Sequence, residues 1–195
     1  KEVRRVTKES SLVTAVVKAN AYGHGSIEAA KVFLRNGADR LAVATLSEAV
    51  ELRRARIEAP ILILGYTPDC QHSIAVENNI TLAIYTIESA KELSRVATEH
   101  KKIAKIHIKI DSGMGRIGFR PEEKSLKLIE EITKLPNLEV EGIFTHFAKA
   151  DEVDKSYTKT QFDRFKWVID NLKERKIEIP IVHASNSAAT IDQPE

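Results

Sequence analysis

The chain has 195 residues, 43% of them hydrophobic, enough to bury a substantial core within one domain or slightly more. Lysine and arginine number 30 against 28 aspartates and glutamates, a net charge of +2. That balance excludes the electrostatic footprint of a nucleic-acid binder or of a protein drawn to an anionic membrane, and no apolar run nears the roughly 20 residues that cross a bilayer.

In chain order, the opening KEVRR reads as part of a charged helix, with neither an initial methionine nor a signal-peptide pattern. A strand over Leu12–Val17 runs into a turn built from Asn20, Tyr22, Gly23, His24 and Gly25, and helical periodicity follows over Ser26–Asn36, with Gly37 just past its end. Next come a strand over Leu41–Ala44, a capping-box pair Thr45 and Glu48, and a helix over Ser47–Ile57. A strand over Ile61–Leu64 leads to Cys70, beside Asp69 in a helical segment. This lone cysteine cannot form an internal disulfide and no Cys/His cluster has zinc-type spacing, so the expected compartment is the reducing cytoplasm, with no metal. His24, His72 and His100 read as ordinary surface or loop residues.

A strand over Thr81–Tyr85, a helix over Ile87–Glu99 and a strand over Ile103–Ile110 continue the alternation. Pro121, Glu122 and Glu123 suit the first turn of a helix over Pro121–Lys134. A strand over Val140–Thr145, a helix over Tyr157–Arg175 and a strand over Ile181–Ala184 complete the series, and SNSAAT starts another helix. Continuous apolar strands joined by helical crossovers give a parallel sheet covered on both faces, either doubly wound or a barrel. A β/α barrel needs eight strands. Seven are legible, so the expectation is an α/β fold, a TIM-type barrel that is incomplete, cut at both ends from something longer.

In such barrels chemistry gathers at the C-terminal ends of the strands. Lys18 ends VTAVVK, where it either snorkels to water or serves as an amine nucleophile able to form a Schiff base. In IAKIHIKID, His107 and Lys109 share one face. If that face is the barrel interior, Lys109 is a buried cation that must be paired, neutralised or modified; otherwise it reaches solvent past the helix layer. DSGMGRIGF carries Gly113, Gly115 and Gly118 around Arg116, a guanidinium placed either to grip a carboxylate or to sit in water. His146 is a base, a ligand or a packing residue. Ser187 either holds a phosphate or caps a helix.

The segments AVVKANAYGHG, IKIDSGMGRIGF, GIFTHFA and HASNSAA occur here in the order and approximate spacing of bacterial alanine racemases, which the chain resembles over residues 15–189. The resemblance implies a pyridoxal-phosphate enzyme that racemises L- and D-alanine and so supplies D-alanine for cell-wall peptidoglycan. It places residues 1–195 in the cofactor-binding barrel domain and the family's carboxy-terminal β domain outside this chain. Lys18 aligns with the lysine that carries the cofactor and acts as the base on the D-isomer side. Tyr22 and Ser187 align with residues that bind the cofactor phosphate. Arg116 matches the arginine near the cofactor's phenolic oxygen and the substrate carboxylate, and Lys109 a lysine often found carbamylated. His146 and Asn186 fall on positions lining the cofactor ring. The second base is implied to be a tyrosine of the partner subunit in a homodimer, so these 195 residues alone are expected to be inactive. Other expectations from the same residues are a serine, lysine or broad-specificity racemase, or a non-catalytic single-domain carrier of the cofactor.

Overall fold

The computed structural model describes residues 2–192. Seven strands, β1 (Thr14–Val16), β2 (Arg40–Val43), β3 (Ile61–Ile63), β4 (Thr81–Ile84), β5 (Ala104–Lys109), β6 (Leu138–Phe144) and β7 (Ile181–His183), lie side by side in sequence order in one sheet. Every neighbouring pair is parallel. The sheet curls into a partial barrel: Arg40 of β2 pairs with Glu141 of β6, strands that are not neighbours and meet only across the concave interior.

The helices are α1 (Glu2–Val6), α2 (Lys18–Tyr22), α3 (Ser26–Arg35), α4 (Leu46–Arg54), α5 (His72–Glu77), α6 (Ile87–Glu99), α7 (Glu123–Ile132), α8 (Ser156–Glu174) and α9 (Ser187–Asp192), with a 3-10 turn over Asp69–Gln71 that leads into α5. Strands β2, β3 and β4 are buried at every position, apolar throughout except for Thr81 and for Arg40, whose charge is met by Glu141. The edges differ: Val16 of β1 is 37% exposed and Val182 of β7 48%. Helices cover the outside through stripes at helical spacing, such as Ala90, Leu93 and Ala97 of α6 and Leu126, Ile129 and Ile132 of α7. Each fully buried leucine or isoleucine of this layer stabilises the fold by roughly 1.5–3 kcal/mol.

Local signals hold where a cap defines them. Thr45 and Glu48 form the reciprocal capping box at α4, and Thr86 accepts from Ser89 N to start α6. Several boundaries move. β1 pairs with β2 only over Thr14–Val16, leaving Leu12 54% exposed, and Ile103 lies outside β5 at 63% exposure. Pro121 precedes α7 rather than opening it, because Glu122 is extended and takes the N-cap position. One side-chain expectation is corrected. His72 is wholly buried, turned from the first turn of α5 toward β4, with Thr67 and Leu82 beside it. Cys70 is exposed on the 3-10 turn.

Candidate functional site

Because all seven strands run the same way, the residues after their C-terminal ends share one mouth. Val17 remains tied to β2 by donating to Ala42 O at 2.8 Å, and the chain then reverses hand. Ala19, Asn20 and Ala21 all lie near φ +50°, ψ +45°, Tyr22 has φ +54° and Gly23 φ +91°. This is one turn of left-handed helix. For L-residues it costs about 1–2 kcal/mol each, and such strain persists only where the surroundings over-determine it. Here Ala21 N donates to Val17 O, Gly25 N to Asn20 O, and Ala19 N to Glu48 Oε1 at 2.7 Å. Asn20 Oδ1 accepts from Ser26 N at 2.8 Å and fastens the turn to α3. The strained turn carries Lys18, whose ammonium has no ion pair among the described residues.

His107 and Lys109 face the interior, 1% and 4% exposed, and the contact of His107 with Glu141, which pairs with Arg40 across the barrel, settles their side of β5. Lys109 Nζ stands 4.5 Å from the centre of the Phe144 ring. Burial, helped by the charge of Arg116 and opposed by Asp111, pushes its amine down to about 7. Beneath it runs a buried polar chain. Arg40 pairs with Glu141, Glu141 Oε2 lies 3.2 Å from His107 Nε2, and His107 Nδ1 lies 2.9 Å from His183 Nε2. The His107 hydrogen bond, with Arg40 and Lys105 beside it, holds the Glu141 carboxyl well below the usual range. An ionised Glu141 accepts from His107 Nε2–H, so His107 Nδ1 accepts from His183 Nε2–H. Burial, with the cations Lys109 and Arg40 acting in the same direction, pushes His183 down to about 3, and its ring stacks on Phe144 at 4.7 Å.

Arg116 sits exposed on a loop closed at its base, where Phe119 N donates to Lys109 O and Asp111 N to Phe119 O. Asp111 Oδ1 is occupied inside this loop by the amides of Gly113 and Gly115. Gly118, at φ +140°, has no room for a side chain: a Cβ there would lie 2.3 Å from Asp111 N. One face of α8 clamps the loop. Tyr157 OH donates to Gly113 O at 2.6 Å, Arg164 to Ser112 O, and the buried Gln161 reaches Ser112 Oγ, His146 O and Ala148 N. Sequence reasoning missed these three. Their spacing on one helix face was the available signal.

His146 follows β6, half-buried. Burial lowers its pKa, and the charges of Lys109, Arg116 and Lys18 push in the same direction, so all three cations act on this one ring. Tyr22, 63% exposed, and Ser187 lie at the same end of the barrel, on the turns after β1 and β7. Ser187 is the first residue of α9 and does not cap it. Asn186 does, its Oδ1 accepting from Ala189 N at 3.0 Å. The mouth therefore gathers an unpaired lysine, an arginine on a rigid loop, a lysine of lowered pKa and a neutral histidine, with little negative charge among them.

The whole chain, residues 1–195, matches the family model described as "Alanine racemase, N-terminal domain". It is 53% identical over 194 residues to the alanine racemase of Clostridium tetani, covering 100% of this chain and 50% of that protein. It is 55% identical over 195 residues to the alanine racemase of Methanococcus maripaludis, covering 100% and 52%. Among solved structures, the alanine racemase of Clostridium difficile 630 in complex with cycloserine superposes with a TM-score of 0.98 at 44% identity, covering 99% of this chain and 53% of that one. The Bacillus anthracis enzyme with bound L-Ala-P gives 0.91 at 44% identity, covering 97% and 49%. The chain thus spans about half the length of the relatives it matches. Matched from end to end by the family model, and by relatives that agree in both sequence and fold, the chain belongs to the alanine racemase N-terminal domain family.

Proposed function

We propose that the chain provides the cofactor-binding barrel of a cytoplasmic, homodimeric, pyridoxal-phosphate-dependent racemase of alanine. Its family is pyridoxal-phosphate-dependent. The observation that carries the reading is the cationic mouth: Lys18, Lys109 and Arg116 all act on His146, while Asp111, the carboxylate that acts on Lys109, is engaged by its own loop and Glu48 by backbone amides. That donor set fits a group bearing an aldehyde and a phosphate, together with an amino-acid carboxylate.

Lys18 would hold the cofactor through its aldehyde carbon, and Tyr22 and Ser187 would meet the phosphate with their hydroxyls. Asn186 would act by fixing α9, on which Ser187 stands. When bound, the cofactor supplies an electron sink that makes the α-proton of an amino acid removable. Lys18 Nζ moves that proton on one face, and its strained turn keeps the amine aimed. Arg116 orients the substrate carboxylate with two parallel hydrogen bonds. Lys109, near half neutral at pH 7, can take up carbon dioxide as a carbamate, whose negative charge would hold Arg116 in place. His146 offers an uncharged ring beside the cofactor. On the opposite face the proton is exchanged by a residue of the partner subunit.

The test is an enantiomer assay, with L-alanine, L-serine and L-lysine, of the whole dimeric racemase that carries this barrel together with the family's carboxy-terminal β domain, beside Lys18→Ala. The expected outcome is alanine turnover well above the other two, lost by a factor of about 10³ or more in the variant. Racemisation undiminished in Lys18→Ala would overturn the reading.

A further inference from the structure

We infer that Glu48 is a positioning residue for Lys18, resting on the reading of Lys18 as the cofactor-holding lysine. A capping box needs only two contacts, Thr45 Oγ1 with Glu48 N and the Glu48 carboxylate with Thr45 N, and both are present. The Glu48 carboxylate does more. Its Oε2 also accepts from Ala44 N at 2.7 Å, and its Oε1, turned away from α4, accepts from Ala19 N at 2.7 Å. One side chain therefore joins the end of β2 to the residue directly after Lys18.

The place of that bond gives it its role. The later part of the left-handed turn is held from within and by Asn20, which accepts from Ser26 N. The first left-handed residue, Ala19, has Glu48 as the partner of its amide. Alanine has no preference of its own for φ +50°, so an outside acceptor is what selects the hand of the chain at this point. Lys18 has no side-chain partner among the described residues, so the direction of its amine is set by the backbone on either side of it. On one side Val17 is bonded to Ala42, and on the other Ala19 is bonded to Glu48. The first anchor stands in β2 and the second in α4, the helix that follows it. Glu48 is thus a brace that aims the amine without touching what the amine binds.

A role confined to helix stability separates from this one by comparing Glu48→Ala with Thr45→Ala. Thr45→Ala removes the other half of the cap and leaves the Ala19 bond in place. Three readouts apply: hydrogen exchange of residues 18–25 without added cofactor, the dissociation constant for pyridoxal phosphate, and the rate at which borohydride fixes it to Lys18. For Glu48→Ala the expected result is exchange at least about tenfold faster, with affinity and fixation each weakened about tenfold or more. For Thr45→Ala the melting temperature falls while all three readouts stay within about twofold of the unmodified protein.

Glu48→Ala within about twofold of the unmodified protein on these readouts, or Thr45→Ala weakened as much as Glu48→Ala, overturns the inference. If Glu48→Ala fails to fold, Glu48→Gln carries the same comparison. Its single oxygen cannot serve both Ala19 and Ala44, so a loss between the two is expected and unchanged behaviour is contrary. Should the unmodified protein fix no cofactor on Lys18, the functional reading fails, while hydrogen exchange still decides whether Glu48 braces the turn.

Discussion

Gly142 of β6 lies under the imidazole of His107, and a methyl group there would fall 2.5 Å from His107 Cε1 and 2.6 Å from Nδ1. The ring cannot step aside cheaply, because its two nitrogens are engaged by Glu141 and His183 and the residue is 1% exposed. Gly142→Ala is therefore expected to destabilise the fold by about 2–4 kcal/mol in urea unfolding. Combining it with His107→Ala should cost less than the sum of the single changes, since the clash and the broken chain are one event. Additive costs would show that the ring has somewhere else to go. Burial likewise explains why Lys109 sits poised near neutrality: its charge meets the face of Phe144 and is opposed by Arg116.

Elements whose physics is local were legible in the sequence. Helix α6 runs over Ile87–Glu99 as read, because Thr86 caps it and its apolar stripe keeps helical period. The seven strands and their parallel order follow from apolar runs separated by helical crossovers. The mouth residues Lys18, Lys109, Arg116 and His146 were legible because strand ends are where such folds concentrate chemistry. What was not legible depends on contacts between distant segments. Nothing in Ala19 or Ala21 announces a left-handed turn; the hand is selected from outside, by Glu48, 29 positions beyond Ala19. Tyr157, Gln161 and Arg164 lie in a helix that was legible only as a helix, whereas they grip the Arg116 loop. His72 looked like a surface residue because its six-residue helix is too short to display a periodicity. Ser187 was read as a possible cap, and only the bond from Ala189 N shows that its neighbour Asn186 does the capping.

At the scale of the molecule, the interior ties stability to pH. His183, pushed down to about 3, and His107, His146 and His72, all lowered by burial, stay neutral in the fold at pH values where the unfolded chain would protonate them. The unfolded state then binds more protons, so stability falls as pH drops below about 6.5, with His183 contributing up to roughly 1.4 kcal/mol per pH unit and the other three acting in the same direction. Glu141, held below its ordinary value, adds a further loss only below about 4.5. Lys109 acts with the same sign higher up, stability rising as pH climbs from about 7 toward 10.5. Urea unfolding at pH 7 and pH 5 should show the midpoint falling, and His183→Gln should flatten that slope by about one proton's share; an unchanged slope would mean that His183 protonates freely in the fold. The account as a whole turns on Lys18, and its most direct measurement is to add pyridoxal phosphate to the protein, reduce with borohydride and map the adduct by peptide mass. The account predicts the cofactor's mass on the peptide containing Lys18, and an adduct found instead on Lys109 or another lysine would contradict it.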